Sequence, residues 1–113
     1  MQIENSRAIV FELLAASDRV QRRLDGSLAN IKGISFSEYQ LLLAIQDAPG
    51  GRATRVDLAA VVGLTPSGVT RALKPLEKLG FVETTKDDRD ARRSMARLTS
   101  QGTELTNDAT GVV

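Results

Sequence analysis

Apolar positions in this chain recur mostly with the period of a helix. Between Gln2 and Ile31 no proline interrupts, and the first glycine is Gly26. Ile3, Val10, Leu14, Leu24, Leu28 and Ile31 fall on a near-heptad stripe, and Ser17 and Gln21 occupy the two positions that would complete it. Phe11, Leu13 and Val20 widen the apolar surface. The pattern predicts one long helix with a broad buried face. Such a helix exceeds what a small domain needs for its own core. It fits a core helix with a frayed end, or a helix that packs partly on a second subunit. The stripe does not say whose surface it faces.

Lys32-Gly33 stops that helix, as glycine commonly does. Ser35 and Glu38 have capping-box spacing, and Phe36, Tyr39, Leu42, Leu43 and Ile45 predict a second helix to about Gln46. Ala48-Pro49-Gly50-Gly51 breaks it. A short third helix follows at about 55–62, with Val56, Leu58, Ala59 and Val62 as its inner face. Gly63 stops it and Leu64 staples the turn. Thr65-Pro66 then opens a fourth helix to about residue 79, because threonine caps well and proline suits the first helical position. Val69, Ala72, Leu73, Leu76 and Leu79 give it helical periodicity, and Gly80 ends it.

The period then changes to that of strands. Residues 81–85 and 94–99 are β-prone and flank the charged segment KDDRDARR, which predicts a hairpin with a long exposed loop. Thr103 to Ala109 begins another helix, but Thr106, Asn107, Thr110 and Gly111 are poor helix formers. The expected organisation is an N-terminal helix over 1–33 that contributes to dimerisation, a winged helix-turn-helix domain over 34–102, and a short tail or helix start over 103–113. The fold class is mainly α with a small β-hairpin.

Two helices joined by a short turn containing glycine form a helix-turn-helix, and a following hairpin makes it a winged helix. The outer face of the fourth helix suits a DNA reader. Ser67, Gly68, Thr70, Arg71 and Lys74 avoid the apolar stripe and are small, hydrogen-bonding or basic. With the cap Thr65, Ser67 and Gly68 let the helix N-terminus approach a surface, where free N–H groups suit a phosphate. Arg71 can bond two acceptors of guanine in the major groove, and Thr70 or Ser67 can touch a base or phosphate. Pro75 inside this helix predicts a kink near residues 71–74, or a helix that ends at Lys74 and restarts.

In the hairpin loop, Arg89, Arg92 and Arg93 are basic candidates for a narrow minor groove. The interleaved Asp87, Asp88 and Asp90 are unsuited to DNA themselves, but they can orient neighbouring arginines. They also resemble a calcium loop, whose glycine and terminal glutamate are missing, so no metal is expected.

Charge changes the picture by its position. The chain has 15 Lys and Arg against 14 Asp and Glu, a net +1. Residues 1–64 hold seven of each sign, residues 65–97 hold eight basic and five acidic, and residues 98–113 hold two acidic. The positive excess lies on the reading helix and hairpin. The 113 residues contain no cysteine and no histidine, which removes disulfides, thiol chemistry, and the commonest metal ligand and general base. No enzyme and no cofactor are expected. There is no apolar run of membrane-spanning length and no export signal, so the expected compartment is the cytoplasm.

Residues 56–102, VDLAAVVGLTPSGVTRALKPLEKLGFVETTKDDRDARRSMARLTSQG, resemble the MarR-type winged-helix transcription regulators. The resemblance rests on Leu58-Ala59, Val69-Thr70-Arg71, Leu73, Leu76-Glu77 and Gly80, then Asp87, Arg89, Asp90 and Arg92, then Leu98-Thr99 with Gly102. It implies a homodimer on double-stranded DNA, at a pseudo-palindromic operator, usually as a repressor. It places the helix at 66–79 in the major groove and Arg92 in the minor groove, positioned by Asp90. It also implies that DNA is released when a small aromatic effector binds in a cleft between the DNA-binding lobe and the dimerisation helices. A long C-terminal helix is expected of this family, and residues through Val113 supply only its start. The chain would then be a fragment, dimerise through residues 2–31, or bind weakly. The alternative function is a winged-helix module that binds protein and does not read DNA.

Overall fold

The computed structural model describes the backbone of residues 3–31, 33–90 and 92–112, and the side chains of residues 6–28, 33–90 and 92–111. It divides into two compact units, residues 1–36 and residues 37–113. The first unit is dominated by α1 (Ile3–Ile31), which runs without a break, as expected where no proline intervenes. Its apolar face differs from expectation: Val10, Phe11, Leu13, Leu14 and Val20 are exposed, whereas Leu28 is buried. A single helix has no opposing layer of its own, so most of the stripe stays uncovered. The side chains of Ile3 and Ile31 lie outside the described residues. No helix among the described residues is long and apolar enough to cross a membrane.

The second unit begins within α2 (Phe36–Asp47) and continues through a 3₁₀ turn at Pro49–Gly51. Strand β1 (Arg52–Ala53), α3 (Arg55–Val62), α4 (Pro66–Lys78), β2 (Val82–Lys86), β3 (Ser94–Leu98) and α5 (Ser100–Val112) follow. Leu41, Leu42 and Ile45 of α2, Leu58 of α3, and Val69, Leu73 and Leu76 of α4 form the fully buried centre. Val82 and Ala96 cover it from the sheet. Each of these side chains contributes roughly 1.5–3 kcal/mol by leaving water, with alanine giving less.

Local chemistry sets the element ends. Thr54 and Thr65 each sit in extended backbone and accept an N–H three residues on, from Asp57 at 3.1 Å and Gly68 at 3.0 Å. Gly63 and Gly80 close α3 and α4 in the same way. Both have positive φ, +72° and +83°, and the next residue reaches back five positions, Leu64 to Ala59 and Phe81 to Leu76. Glycine takes this left-handed turn without a Cβ clash. Leu64 itself remains exposed. Helix α4 continues through Pro75 to Lys78, so the break-and-restart alternative is not adopted.

Two expectations are corrected, and one pair of alternatives is decided. The hairpin is the larger part of a three-stranded antiparallel sheet, ordered β1-β3-β2, with Arg52 opposite Arg97 and Ala53 opposite Ala96. A two-residue strand carries no periodicity, so only its partner reveals it. Val56 and Leu79, read as inner-face residues, are exposed. Each lies at the end of its helix, where the apolar stripe runs past the neighbouring layer. The C-terminal segment is helical from Ser100 to Val112 despite its weak formers. Thr106 and Thr110 donate their hydroxyls to the carbonyls of Gly102 and Thr106, at 2.7 and 2.9 Å. Thr106 and Ala109 are buried, and Tyr39 Oη and Thr110 Oγ1 lie 2.7 Å apart. Packing outweighs the few tenths of a kcal/mol per residue that separate helix propensities.

Candidate nucleic-acid interface

Helix α4 turns two faces in different directions. Val69, Leu73 and Leu76 are buried, while Thr65, Ser67, Thr70, Arg71 and Lys74 are exposed and Gly68 is half-buried. The start of the helix offers fewer free donors than its sequence suggested. Pro66 has no N–H, and the Gly68 N–H is taken by Thr65. That leaves the Ser67 N–H as the open donor at this end. Gly68 also gives the cap its room, since a Cβ there would lie 3.2 Å from Thr65 Oγ1. Thr70 donates its hydroxyl to the Pro66 carbonyl at 3.1 Å, so it presents its methyl and lone pairs outward rather than a proton. Arg71 makes no hydrogen bond or ion pair within the described residues, so all its guanidinium donors are available.

The hairpin loop is built from two repeats of one small turn. Asp87 Oδ1 accepts the Arg89 N–H at 3.0 Å, and Asp90 Oδ1 accepts the Arg92 N–H at 3.0 Å. Aspartate favours such turns because its short carboxylate reaches the backbone two residues on. The loop is closed by Asp87 N–H to the Arg93 carbonyl and Arg93 N–H to the Asp90 carbonyl, both 3.0 Å. Asp87 is largely enclosed, with 12% of its side chain exposed, and faces Arg93 Nη1 at 3.7 Å. Arg93 is thereby drawn toward the loop base. Arg92 keeps 92% of its side chain exposed although its Nε donates to Asp90 at 3.1 Å. Arg89 is exposed as well. The structure thus gathers Arg89, Arg92, Arg93, Asp87 and Asp90 in one loop, apart in sequence from the set on α4. Residue 91 lies outside the described residues.

The side-chain bond from Arg92, then its backbone N–H, holds the Asp90 carboxyl below its ordinary value. Slight burial opposes this and the Arg93 charge assists it. A carboxyl whose pKa is lowered by folding stabilises above its unfolded-chain value, and that contribution is lost as pH falls through the lowered value. The turn is therefore intact at neutral pH. In a carboxyl NMR titration, Asp90 is expected to have a midpoint below that of the same sequence in an unfolded peptide. Arg92→Ala should raise it, and an unchanged midpoint would show that the pair does not form in solution.

Sequence reasoning missed a set of long-range partners. Arg52 Nη2 faces Asp88 Oδ2 at 3.4 Å. Arg97 pairs across the sheet with Glu83. Arg55, Glu77 and Thr84 bond to one another from α3, α4 and β2. Separations of 22 and 29 residues carry no local signal, and Glu77 stood out only as part of a motif.

The model of the MarR family matches residues 32–93. An uncharacterised HTH-type transcriptional regulator of Bacillus subtilis (strain 168), YdgJ, is 38% identical over 72 residues, which is 64% of this chain. The matched stretch spans 43% of that relative's length. Among solved structures, CouR from Rhodococcus jostii RHA1, bound to p-coumaroyl-CoA, is 29% identical with a TM-score of 0.82, covering 94% of this chain and 73% of CouR. Sco3205 from Streptomyces coelicolor, a MarR family transcriptional regulator solved in complex with DNA, is 25% identical with a TM-score of 0.82, covering 97% of this chain and 73% of its own. With the family model covering more than half of its residues, this chain belongs to the MarR family, whose members are transcriptional regulators and not enzymes.

Proposed function

We infer that the chain binds double-stranded DNA sequence-specifically as a homodimer and acts as a cytoplasmic repressor at a pseudo-palindromic operator. Residues 34–102 form the DNA-binding part, and residues 1–33 contribute to dimerisation. On this reading α4 lies in the major groove, with Arg71 on a base and Thr65, Ser67, Gly68, Thr70 and Lys74 around it. Arg92, with Arg89 and Arg93 beside it, enters the minor groove, and Asp87 and Asp90 orient the loop.

The observation that carries the reading is the pairing of two exposed basic surfaces with a buried scaffold. Arg71 and Lys74 project from a helix whose opposite face is core, and Arg92 projects from a loop tied by its own aspartates. The uncovered apolar residues of α1 support the homodimer, since patches of this kind mark interaction surfaces. Two observations favour a small aromatic effector. CouR was solved bound to p-coumaroyl-CoA. A groove of about 700 Å³ lined by Leu43, Ala44, Pro49, Arg52 and Val61 has the volume of a ligand pocket, although it lies between α2 and α3 and no described residue of the dimerisation helix lines it.

The test is a mobility shift on DNA selected from a random pool, repeated across salt. Affinity is expected to fall with a log–log slope of roughly −0.9 for each phosphate neutralised. Failure to select any sequence, unaffected by salt, would overturn the reading and favour the protein-binding alternative.

A further inference from the structure

Arg55, Glu77 and Thr84 close a triangle across three elements. Arg55 Nη2 donates to Glu77 Oε1 at 3.2 Å and to Thr84 Oγ1 at 3.0 Å, and Thr84 Oγ1 donates to Glu77 Oε1 at 3.1 Å. Arg55 opens α3, Glu77 lies in the last turn of α4, and Thr84 is the middle residue of β2. The first helix of the pair, the reading helix and the wing strand therefore meet at one carboxylate.

Stability alone does not account for an arginine at this place. Its side chain is only 18% exposed, and its Nη1 is buried with no hydrogen-bond partner among the described residues. An unbonded buried donor disfavours folding, and apolar packing would avoid that cost. Glu77 also borders the open surface that holds Arg71, Lys74 and Lys78. An unpaired carboxylate there would repel a phosphate backbone, and Arg55 neutralises it.

The covalent link between α4 and β2 is short and turns on Gly80, at φ +83°. That turn sets the chain path, and the Arg55–Glu77–Thr84 triangle adds side-chain ties between helix and strand. We propose that Arg55, Glu77 and Thr84 are positioning residues that set the angle between the reading helix and the wing, so that both grooves are engaged at once. The proposal rests on the DNA-binding reading above. A wing held at the right angle meets its groove at high effective concentration, and a loosened one does not.

Thr84→Val keeps the β-branched shape and removes the hydroxyl, whereas Thr84→Ser keeps the hydroxyl. Operator affinity of the full chain is expected to fall roughly tenfold in Thr84→Val, a small part of what linked binding can supply. Thr84→Ser should bind within about twofold of wild type on the same argument. The hydroxyl-radical footprint should weaken at the wing's minor-groove site while protection of guanine N7 from methylation in the major groove persists. Adding Arg92→Ala to Thr84→Val should cost less than Arg92→Ala alone costs the wild type. Equal footprints and additive effects would overturn the proposal, as would a Tm loss shared equally by both Thr84 variants. If the wild-type chain itself selects no operator, the DNA-binding reading fails; if it binds and Thr84→Val matches it, only the positioning role fails.

Discussion

Arg71→Ala is expected to weaken the specific DNA complex by ~1–3 kcal/mol in each half-site, the worth of a bidentate arginine–guanine contact. A symmetric dimer would lose this twice, so about 2–6 kcal/mol, on the order of 30-fold or more. The side chain is exposed on the outer face of α4 and is committed to no partner within the described residues. Its loss should therefore leave the fold intact, because Val69, Leu73 and Leu76 carry the packing. Discrimination should relax at one base pair per half-site, while binding to random DNA should weaken only by the loss of one charge per protomer. Titration of the selected operator and of single-base variants measures both. A uniform loss across all sequences would make Arg71 a phosphate contact, and no loss would remove it from the interface.

Gly102→Ala is expected to destabilise the second unit by roughly 3–5 kcal/mol, at the severe end for a single methyl group. A Cβ at this position would lie 1.9 Å from the Phe81 carbonyl oxygen and 2.9 Å from its carbon. Phe81 cannot retreat without cost. Its carbonyl accepts the Thr99 N–H at 3.1 Å, and Thr99 Oγ1 donates to the Gly80 carbonyl at 2.6 Å. The same hydroxyl accepts the Gly102 N–H at 3.0 Å, which caps α5. One threonine and one glycine thus bring the end of α4 and the start of α5 into backbone contact. Gly111→Ala in the same helix is the control, because a Cβ there meets nothing within 4 Å among the described residues beyond its own turn of helix. It should be neutral or stabilising by up to about 1 kcal/mol. Urea denaturation of the two variants decides the matter: similar midpoints would mean that the close approach is absent in solution.

Strong local signals in the sequence located the helices and turns. The Thr65-Pro66 start, the Gly63 and Gly80 stops, and the stripe of Val69, Leu73 and Leu76 each follow from chemistry within one turn of chain. The outer face of α4 was legible for the same reason, as the complement of that stripe. The hairpin loop was legible as a charged insertion between β-prone segments, but the repeated aspartate turns exist only in the folded loop. The stripe on α1 was legible as a pattern and misleading as burial, because periodicity reports a face and not its partner. Val56 and Leu79 erred in the same way.

By itself the sequence determined the order of elements, the winged-helix class, and the placing of a small positive excess on residues 65–97 within a chain of net +1. These follow from nearest-neighbour effects: capping, backbone freedom at glycine and proline, and apolar periodicity. Tertiary structure alone decided the pairing of Arg52–Ala53 with β3, the extension of the C-terminal helix over Ser100–Val112, and the meeting of Arg55 with Glu77 and Thr84. Each depends on groups distant in sequence, whose favourable contacts exist only after the chain has closed the loops between them.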